Sequence, residues 1–219
     1  YCDWSSDVCS SDLFGLFFAI LLNRKLPGKA FIRVLLILPW AIPQYIAAMT
    51  WKGMYNVEYG SVNIILSHIF GNVVAIPWLS VPSWTFVGCI ITNIWLGIPF
   101  MMMISLGGLS SIPEELYEAA DLDGATGLQK FKSITLPLLK PILTPAIVLG
   151  TVWTFNMVNI IYIITSGSAS DESQILITMV FKRAFQYFRY GQSAALSVII
   201  FLILLAFSTF FIRAQKSED

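Results

Sequence analysis

Hydrophobic residues run along this chain in long uncharged stretches separated by short charged ones. Val34 to Trp51 lies between Arg33 and Lys52, and Tyr59 to Pro113 contains no Asp, Glu, Lys or Arg. Pro141 to Ser170 lies between Lys140 and Asp171, and Tyr190 to Ile212 between Arg189 and Arg213. A helix that crosses a bilayer needs about 20 mostly apolar residues. Three of these runs reach that length outright. The first reaches it if Phe31 and Ile32 join and the Arg33 side chain snorkels to the interface. The 59–113 run predicts one span at about 84–108. Its first part, with Gly60, Ser61, Asn63, His68, Gly71, Asn72 and two prolines, reads as a loop. Leu13 to Leu22 is apolar but only half a span, and reads as the tail of a helix whose start is missing. Residues 1–12, YCDWSSDVCSSD, are polar and acidic. They read as a non-native or disordered leader, such as translated adapter or vector sequence. The alternative is a natural polar N-terminus before a short re-entrant segment. The expected organisation is a leader at 1–12, a membrane domain at 13–213 and a tail at 214–219. Spans are expected at about 13–22 (partial), 31–51, 84–108, 141–165 and 193–212.

Composition supports an all-α, polytopic membrane helix bundle. Of 219 residues, 57% are hydrophobic and 12% charged, with mean hydropathy +0.75. A soluble domain carries about 25% charged residues, so an ordinary cytosolic enzyme is a poor fit, as is a disordered chain. Thirteen basic and thirteen acidic residues balance, which gives no sign of a nucleic-acid partner. The three cysteines, at 2, 9 and 89, form no CxxC pair and no metal spacing. Charge also orients the bundle. The loops 23–33, 109–140 and 213–219 hold nine Lys and Arg, and the loops 52–83 and 166–192 hold four. The first set, with the C-terminus, is expected in the cytoplasm.

Ionisable groups are missing from the interiors of the predicted spans. Ion-coupled carriers bind their driving ion with such groups despite the cost of placing them in lipid. A self-sufficient secondary carrier therefore fits poorly, and any solute crossing here is expected to be neutral. A plain membrane anchor is the competing reading. Against it, the helices are irregular. Pro39 and Pro43 interrupt the first complete span, Gly97 and Pro99 the second, and Pro141 and Pro145 open the third. Broken helices are tolerated at membrane depth where they line protein or a watery cavity. The polar residues left in the spans are neutral. Asn156 and Asn159, three apart, are expected on one helix face, with Tyr162 another three on. Amides that give and take hydrogen bonds, beside aromatic faces, suit a polyhydroxylated neutral ligand. Trp95, Asn156, Asn159, Tyr162, Ser193 and Ser197 are the candidate solute path. For each, the alternative is interhelical hydrogen bonding, worth roughly 0.6–2 kcal/mol per pair.

The segment 110–137 is the most specific. Ser111 followed by Glu114 has capping-box spacing, and Pro113 suits a first helical turn. Leu116, Tyr117, Ala119, Ala120 and Leu122 follow at helical spacing, and Gly124 can take the positive φ that ends a helix. A second amphipathic helix is expected from Gly127 to about Thr135, running into Leu136-Pro137. A helix–turn–helix knob of this kind can dock in a groove on a soluble partner. A helix lying on the bilayer surface is the alternative.

Glu118-Ala119-Ala120, three residues, Gly124, nine residues, Ile134, one residue and Leu136-Pro137 resemble the EAA loop of bacterial ABC importer permeases. RVLLILPWAIPQYIAAMTWKGMYN, NIWLGIPFMMMISLGGLSSIPEELYEAA and FQYFRYGQSAALSVIIFLILL resemble the sugar-permease branch, near the maltose-type larger permease subunit. The likeness covers about residues 13–213. It implies a type I importer permease fold and import of a neutral sugar or oligosaccharide across the bacterial inner membrane. The implied partners are a second permease subunit, two copies of a cytoplasmic ABC ATPase and a periplasmic or lipid-anchored sugar-binding protein. Through the resemblance, Glu118, Ala119, Ala120, Asp123, Gly124, Leu136 and Pro137 are the residues expected to couple to the ATPase. ATP hydrolysis would lie on that partner, with no cofactor or metal on this chain. No GxxxxGK[ST] motif occurs. Two departures stand out. The family has at least six spans, against about four and a half here. Its loop after the fifth span often reads Thr-x-Gly-Gly-Pro, where this chain has Thr165-Ser166-Gly167-Ser168-Ala169. Other readings stay open: an importer of another solute such as glycerol phosphate or an oligopeptide, an ion-coupled carrier, or a membrane enzyme. The last has only His68 and Cys89 to offer. His68 reads as an ordinary loop residue and Cys89 as a buried small hydrophobe.

Overall fold

The structure is a computed structural model. It describes residues 5–24, 27–71, 75–167 and 174–216, and the side chains of residues 5–9 and 214–216 are not described. Four leader residues, Lys25, Ser168, Ala169 and the end of the expected tail lie outside the described residues. Every regular element among the described residues is helical. They form two compact units: 1–40, 97–152 and 207–219, and 41–96 with 153–206.

In the first unit, α1 spans Ser5–Asn23, so the helix begins inside the expected leader. Serine and aspartate are residue types that favour a helix start. α2 spans Lys29–Ala41 and keeps Pro39 inside it. α5 spans Pro82–Ser111 and is unbroken through Gly97 and Pro99, where an interruption was expected. A proline inside a helix removes one donor without necessarily ending it, and here the Pro99 ring is fully buried. After α6, Glu114–Leu122, come α7, Gly127–Lys130, a π-helical turn at Phe131–Thr135, and α8, Leu136–Phe155. The expected second amphipathic helix is therefore the first part of a longer one, and Pro141 and Pro145 lie within it. The core joins Ala19 and Leu22 of α1, Met101, Met102, Leu106 and Leu109 of α5, and Leu139, Leu143 and Ala146 of α8. Close approach depends on two glycines. A Cβ on Gly15 would meet Met101 Cβ at 2.5 Å, and one on Gly108 would meet Leu139 Cδ2 at 2.7 Å. Small residues at such crossings let helices pack tightly where lipid supplies no hydrophobic drive.

In the second unit, the span expected at 31–51 continues after a break at Ile42-Pro43, with Pro43 as the N-cap of α3, Gln44–Met54. The 59–83 stretch is not all loop: α4 spans Ser61–Phe70, bounded by Gly60 and by Gly71 at φ +72°. The terminal glycines gave it the look of a loop, yet they are helix ends. α8 stops at Phe155, and α9 spans Val158–Ile164. α10, Leu176–Phe181, runs into a π turn at Lys182–Gln186, and α11 spans Tyr190–Lys216. α3 packs along α9. An aromatic and amide cluster ties α3 to the loop around α4. Tyr55 is fully buried, and its hydroxyl lies 2.8 Å from the Gly88 carbonyl and 3.1 Å from Thr92 Oγ1. Its ring packs on Trp78, which packs on Trp84. The Trp78 indole donates to Asn63 Oδ1 at 2.8 Å, and Asn63 Nδ2 donates to the Ile76 carbonyl at 3.0 Å. Cys89 is buried, as expected. His68 lies on α4, with Nδ1 against the Ile64 carbonyl at 2.9 Å.

Among the described residues, three helices are long and apolar enough to cross a membrane: Pro82–Ser111, the composite Gly127–Ile164, and Tyr190–Arg213. The broken pair α2 and α3 makes a fourth if counted together. Asn63→Ala would leave the buried Trp78 N–H without its partner, a loss of about 1–3 kcal/mol. The expected outcome is a lowered thermal unfolding midpoint in detergent, larger than that of Ser61→Ala on the same helix. Equal midpoints would show that the clamp contributes nothing.

Candidate functional site

Short-range chemistry shapes the 110–137 hairpin, which lies wholly in the first unit. Pro113 is the N-cap of α6 and makes no side-chain cap. The expected Ser111–Glu114 box does not form, because Glu114 is the first helical residue and not the third. The Ser111 hydroxyl instead donates to the Gly108 carbonyl at 2.8 Å, closing the end of α5. A capping box forms instead at the start of α7. The Thr126 amide donates to Gln129 Oε1 at 2.7 Å, and the Gln129 amide to Thr126 Oγ1 at 3.4 Å. The Thr-x-x-Gln spacing was there to be read.

α6 ends in a Schellman turn. The Gly124 amide donates to the Asp121 carbonyl at 3.1 Å and the Ala125 amide to the Ala120 carbonyl at 2.9 Å. Gly124 is left-handed, at φ +75°, as expected from its place in the sequence. A Cβ there would meet nothing within 4 Å, so backbone conformation alone selects glycine. Two side-chain ties close the hairpin. Lys130 Nζ meets Asp121 Oδ1 at 2.6 Å, and the Tyr117 hydroxyl meets Thr135 Oγ1 at 2.9 Å. Thr135 is buried and ends the π turn, just before Leu136 and Pro137. A widened turn there suits a proline that offers no N–H and crowds the preceding residues.

The hairpin faces outward from its unit. Glu118, Ala119, Asp123 and Gly124 are exposed and Ala120 is half-buried. Leu122 is 91% exposed and Leu128 77%. These two leucines were not among the expected coupling residues. The motif names small and acidic positions, whereas the apolar tips become visible only from exposure. A largely apolar cavity of about 710 Å³, lined by Asn23, Arg24, Leu109, Tyr117 and Leu128 among others, lies between the hairpin and the ends of α1 and α5. Over that stretch the hairpin stands off its unit.

All six candidate path residues lie in the second unit. They do not form one face of one helix. The helix breaks at Asn156-Met157, which separates Asn156 from Asn159 and Tyr162. The Asn156 and Met157 amides turn back to the Trp153 and Thr154 carbonyls, at 3.1 and 3.2 Å. Met157, at φ −84° and ψ 72°, then makes an inverse γ-turn, closed by the Val158 amide on the Asn156 carbonyl at 3.0 Å. Asn156 and Asn159 are exposed on either side of this break. Trp95 packs edge-on against Trp51, with centroids 5.5 Å apart. The Tyr162 hydroxyl accepts from Gln186 Nε2 at 3.2 Å, and its ring packs on Phe181. Ser193 is buried and donates to the Val180 carbonyl at 2.9 Å, and Ser197 donates to the Ser193 carbonyl at 3.0 Å. The Ser193 proton thus ties α11 to α10, an interhelical bond of the kind weighed as the alternative, whereas Ser197 bonds back within α11 itself. Asn156 and Asn159 are exposed and Trp95 is half-buried.

Residues 13–217 match the family described as "Binding-protein-dependent transport system inner membrane component". The chain belongs to this family. It is 40% identical over 207 residues to the trehalose/maltose transport system permease protein MalF of Thermococcus litoralis, covering 93% of this chain and 68% of that one. It is 36% identical to the maltose/maltodextrin transport system permease protein MalF of Escherichia coli K12, covering 93% of this chain but only 42% of the relative. A solved bacterial alginate ABC transporter, in complex with an alginate pentasaccharide-bound periplasmic protein, superimposes with a TM-score of 0.81 at 22% identity. That match covers 94% of this chain and 75% of the other. The MetNI methionine ABC transporter gives 0.58 at 17% identity, covering 96% and 92%. The fold is that of a type I ABC transporter permease, and this inner membrane component is a membrane protein.

The Schellman turn yields a direct test. Gly124→Ala forces an L-residue into the left-handed region, at about 1–2 kcal/mol. Gly127→Ala adds helix propensity at a position with open space. Amide exchange over α6 should quicken several-fold in the first variant and not in the second. Equal exchange in the two would remove the backbone argument for Gly124.

Proposed function

We propose that this chain is the non-catalytic permease subunit of an ATP-driven importer of a neutral sugar or oligosaccharide. The observation that carries the reading is the exposed, internally braced 110–137 hairpin on a chain whose long apolar helices hold no ion-binding carboxylate in their interiors. A transporter without its own driving-ion site needs an external source of free energy. A stiff exposed hairpin is a means of receiving it. The carbohydrate relatives support the solute class, as do the amides at the helix break.

In this reading the hairpin lies in the cytoplasm with the C-terminus, following the nine-to-four bias of Lys and Arg between the two sets of loops. Glu118, Ala119, Ala120, Asp123 and Gly124 form the surface that meets the ATPase, and Leu136-Pro137 anchor the hairpin to α8. Ala119 and Ala120 allow close backbone approach, while Leu122 and Leu128 gain by leaving water. Burying a leucine contributes about 1.5–3 kcal/mol. A second permease subunit would complete the pathway, two ATPases would drive it, and an external binding protein would deliver the sugar. ATP-driven closure of the ATPases would move the hairpin, and through α8 the helix break that carries Asn156 and Asn159. At that break an amide oxygen accepts from a sugar hydroxyl and an amide NH₂ donates to one, with Trp95 offering an aromatic face.

Two measurements test this. Glu118→Lys should abolish or strongly reduce copurification of the ATPase and ATP-dependent uptake while the chain still inserts. Normal uptake would refute the docking role. Asn159→Leu should raise the half-saturation of uptake about ten-fold or more, since a site built for hydrogen bonds is left unpaired, with assembly intact. Unchanged uptake kinetics would remove Asn159 from the path. Vesicles that accumulate solute without any ATPase would overturn the whole reading.

A further inference from the structure

α9 ends in the same backbone turn as α6, with different chemistry at its critical position. The Ser166 amide donates to the Ile163 carbonyl at 3.1 Å and the Gly167 amide to the Tyr162 carbonyl at 2.7 Å. This is a Schellman turn, whose first residue past the cap is left-handed. In α6 that residue is Gly124. In α9 it is Ser166, at φ +56°. Glycine would adopt this conformation without strain, so serine needs a reason that lies in its hydroxyl. That oxygen accepts a hydrogen bond from Lys52 Nζ at 2.6 Å. The contact is short and charge-assisted. Lys52 lies in the last turn of α3, which packs along α9, so its ammonium also meets the carbonyl end of α9, where a positive charge is favoured.

We infer that Lys52 and Ser166 form a latch that sets the register of α9 against α3, and that Ser166 is a positioning residue for solute passage through Asn159. This inference rests on the permease reading above. Each side of the latch is anchored. On the α9 side, Gly167 sits against the Tyr162 ring, close enough that a Cβ would come within 3.1 Å of it, and Gln186 holds the Tyr162 hydroxyl. On the α3 side, Trp51 packs on Trp95 and Tyr55 bonds into α5. Between these sides, apolar packing sets distance but has little preference for register. The Lys52–Ser166 bond is directional and does.

The test compares Ser166→Gly, Ser166→Asn and Lys52→Met in the full chain, assembled in its membrane complex and assayed with maltose and ATP. Glycine and asparagine both tolerate the left-handed position, but only asparagine keeps an oxygen acceptor. Ser166→Gly should keep or raise the thermal midpoint yet raise the half-saturation of uptake by about ten-fold, the scale of effect that small misplacements produce. Lys52→Met should match it, and Ser166→Asn should stay within about two-fold of wild type. A purely structural role would give the opposite order, with glycine harmless. Amide exchange over 158–167 provides a readout without transport. It should quicken in Ser166→Gly and Lys52→Met and not in Ser166→Asn. Wild-type half-saturation and unchanged exchange in Ser166→Gly would overturn the latch. A wild-type complex that moves no maltose with ATP would rule out maltose as its solute, and the exchange order would then decide the latch alone.

Discussion

In lipid, a backbone amide or carbonyl has no water to bond, so a broken helix survives only where the chain itself covers or closes the break. Much of the second unit answers that constraint. The break at Asn156-Met157 closes its own groups through two back-turned amides and an inverse γ-turn. The helix after it, α9, packs along α3, which itself follows the break at Ile42-Pro43. Two discontinuous helices thus shelter one another. Asn156 and Asn159 lie exposed on either side of that break, which is why the proposed solute path runs through it.

The hairpin of the first unit solves the reverse problem. Much of it is exposed, yet it closes its backbone ends internally with a Schellman turn, a capping box, an ion pair and the Tyr117–Thr135 bond. An exposed ion pair alone is worth little. Four local closures between Tyr117 and Thr135 make the hairpin stiff, whereas its cavity side leaves it loosely attached to α1 and α5. Stiff in itself and free on one side is the mechanical character of a part that transmits motion. The same stiffness allows Leu122 and Leu128 to remain exposed, since side chains held on a rigid frame cannot collapse onto the unit beneath.

Much of this was legible from residue order because uncharged runs and proline positions report directly on what lipid allows. Three long apolar helices and the left-handed Gly124 follow from patterning, whereas the EAA reading of 118–137 comes from a family resemblance. The errors share a cause. Gly60 and Gly71 were read as loop residues though they bound α4, and Ser111 was read as a cap though Pro113 displaced the helix start. Pro99 was read as a breaker though its buried ring is carried inside α5. In each, a local signal was read without the register that fixes its meaning. Asn156 and Asn159 were placed on one helix face for the same reason, since a γ-turn has no strong sequence mark when its central residue is methionine. The hydroxyls of Ser193 and Ser197 illustrate a different limit: whether a serine in a membrane helix meets a solute or a neighbouring carbonyl depends on packing that spacing alone does not reveal.

The two Schellman turns show how that limit can be turned to use. Where a chain obeys a local rule, as at Gly124, the residue is explained by conformation and nothing more need be sought. Where it departs from one, something else must hold the strained state in place. Among the described residues two non-glycines are left-handed, Ser166 and Phe188. Phe188 lies just after the π turn of Lys182–Gln186, and its conformation lets the Arg189 amide reach the Arg183 carbonyl at 2.8 Å, so a backbone bond accounts for it. At Ser166 the backbone bonds are those any glycine would make. What glycine could not supply is the acceptor for Lys52, and that places the reason for the residue in α3, more than a hundred positions away in the chain.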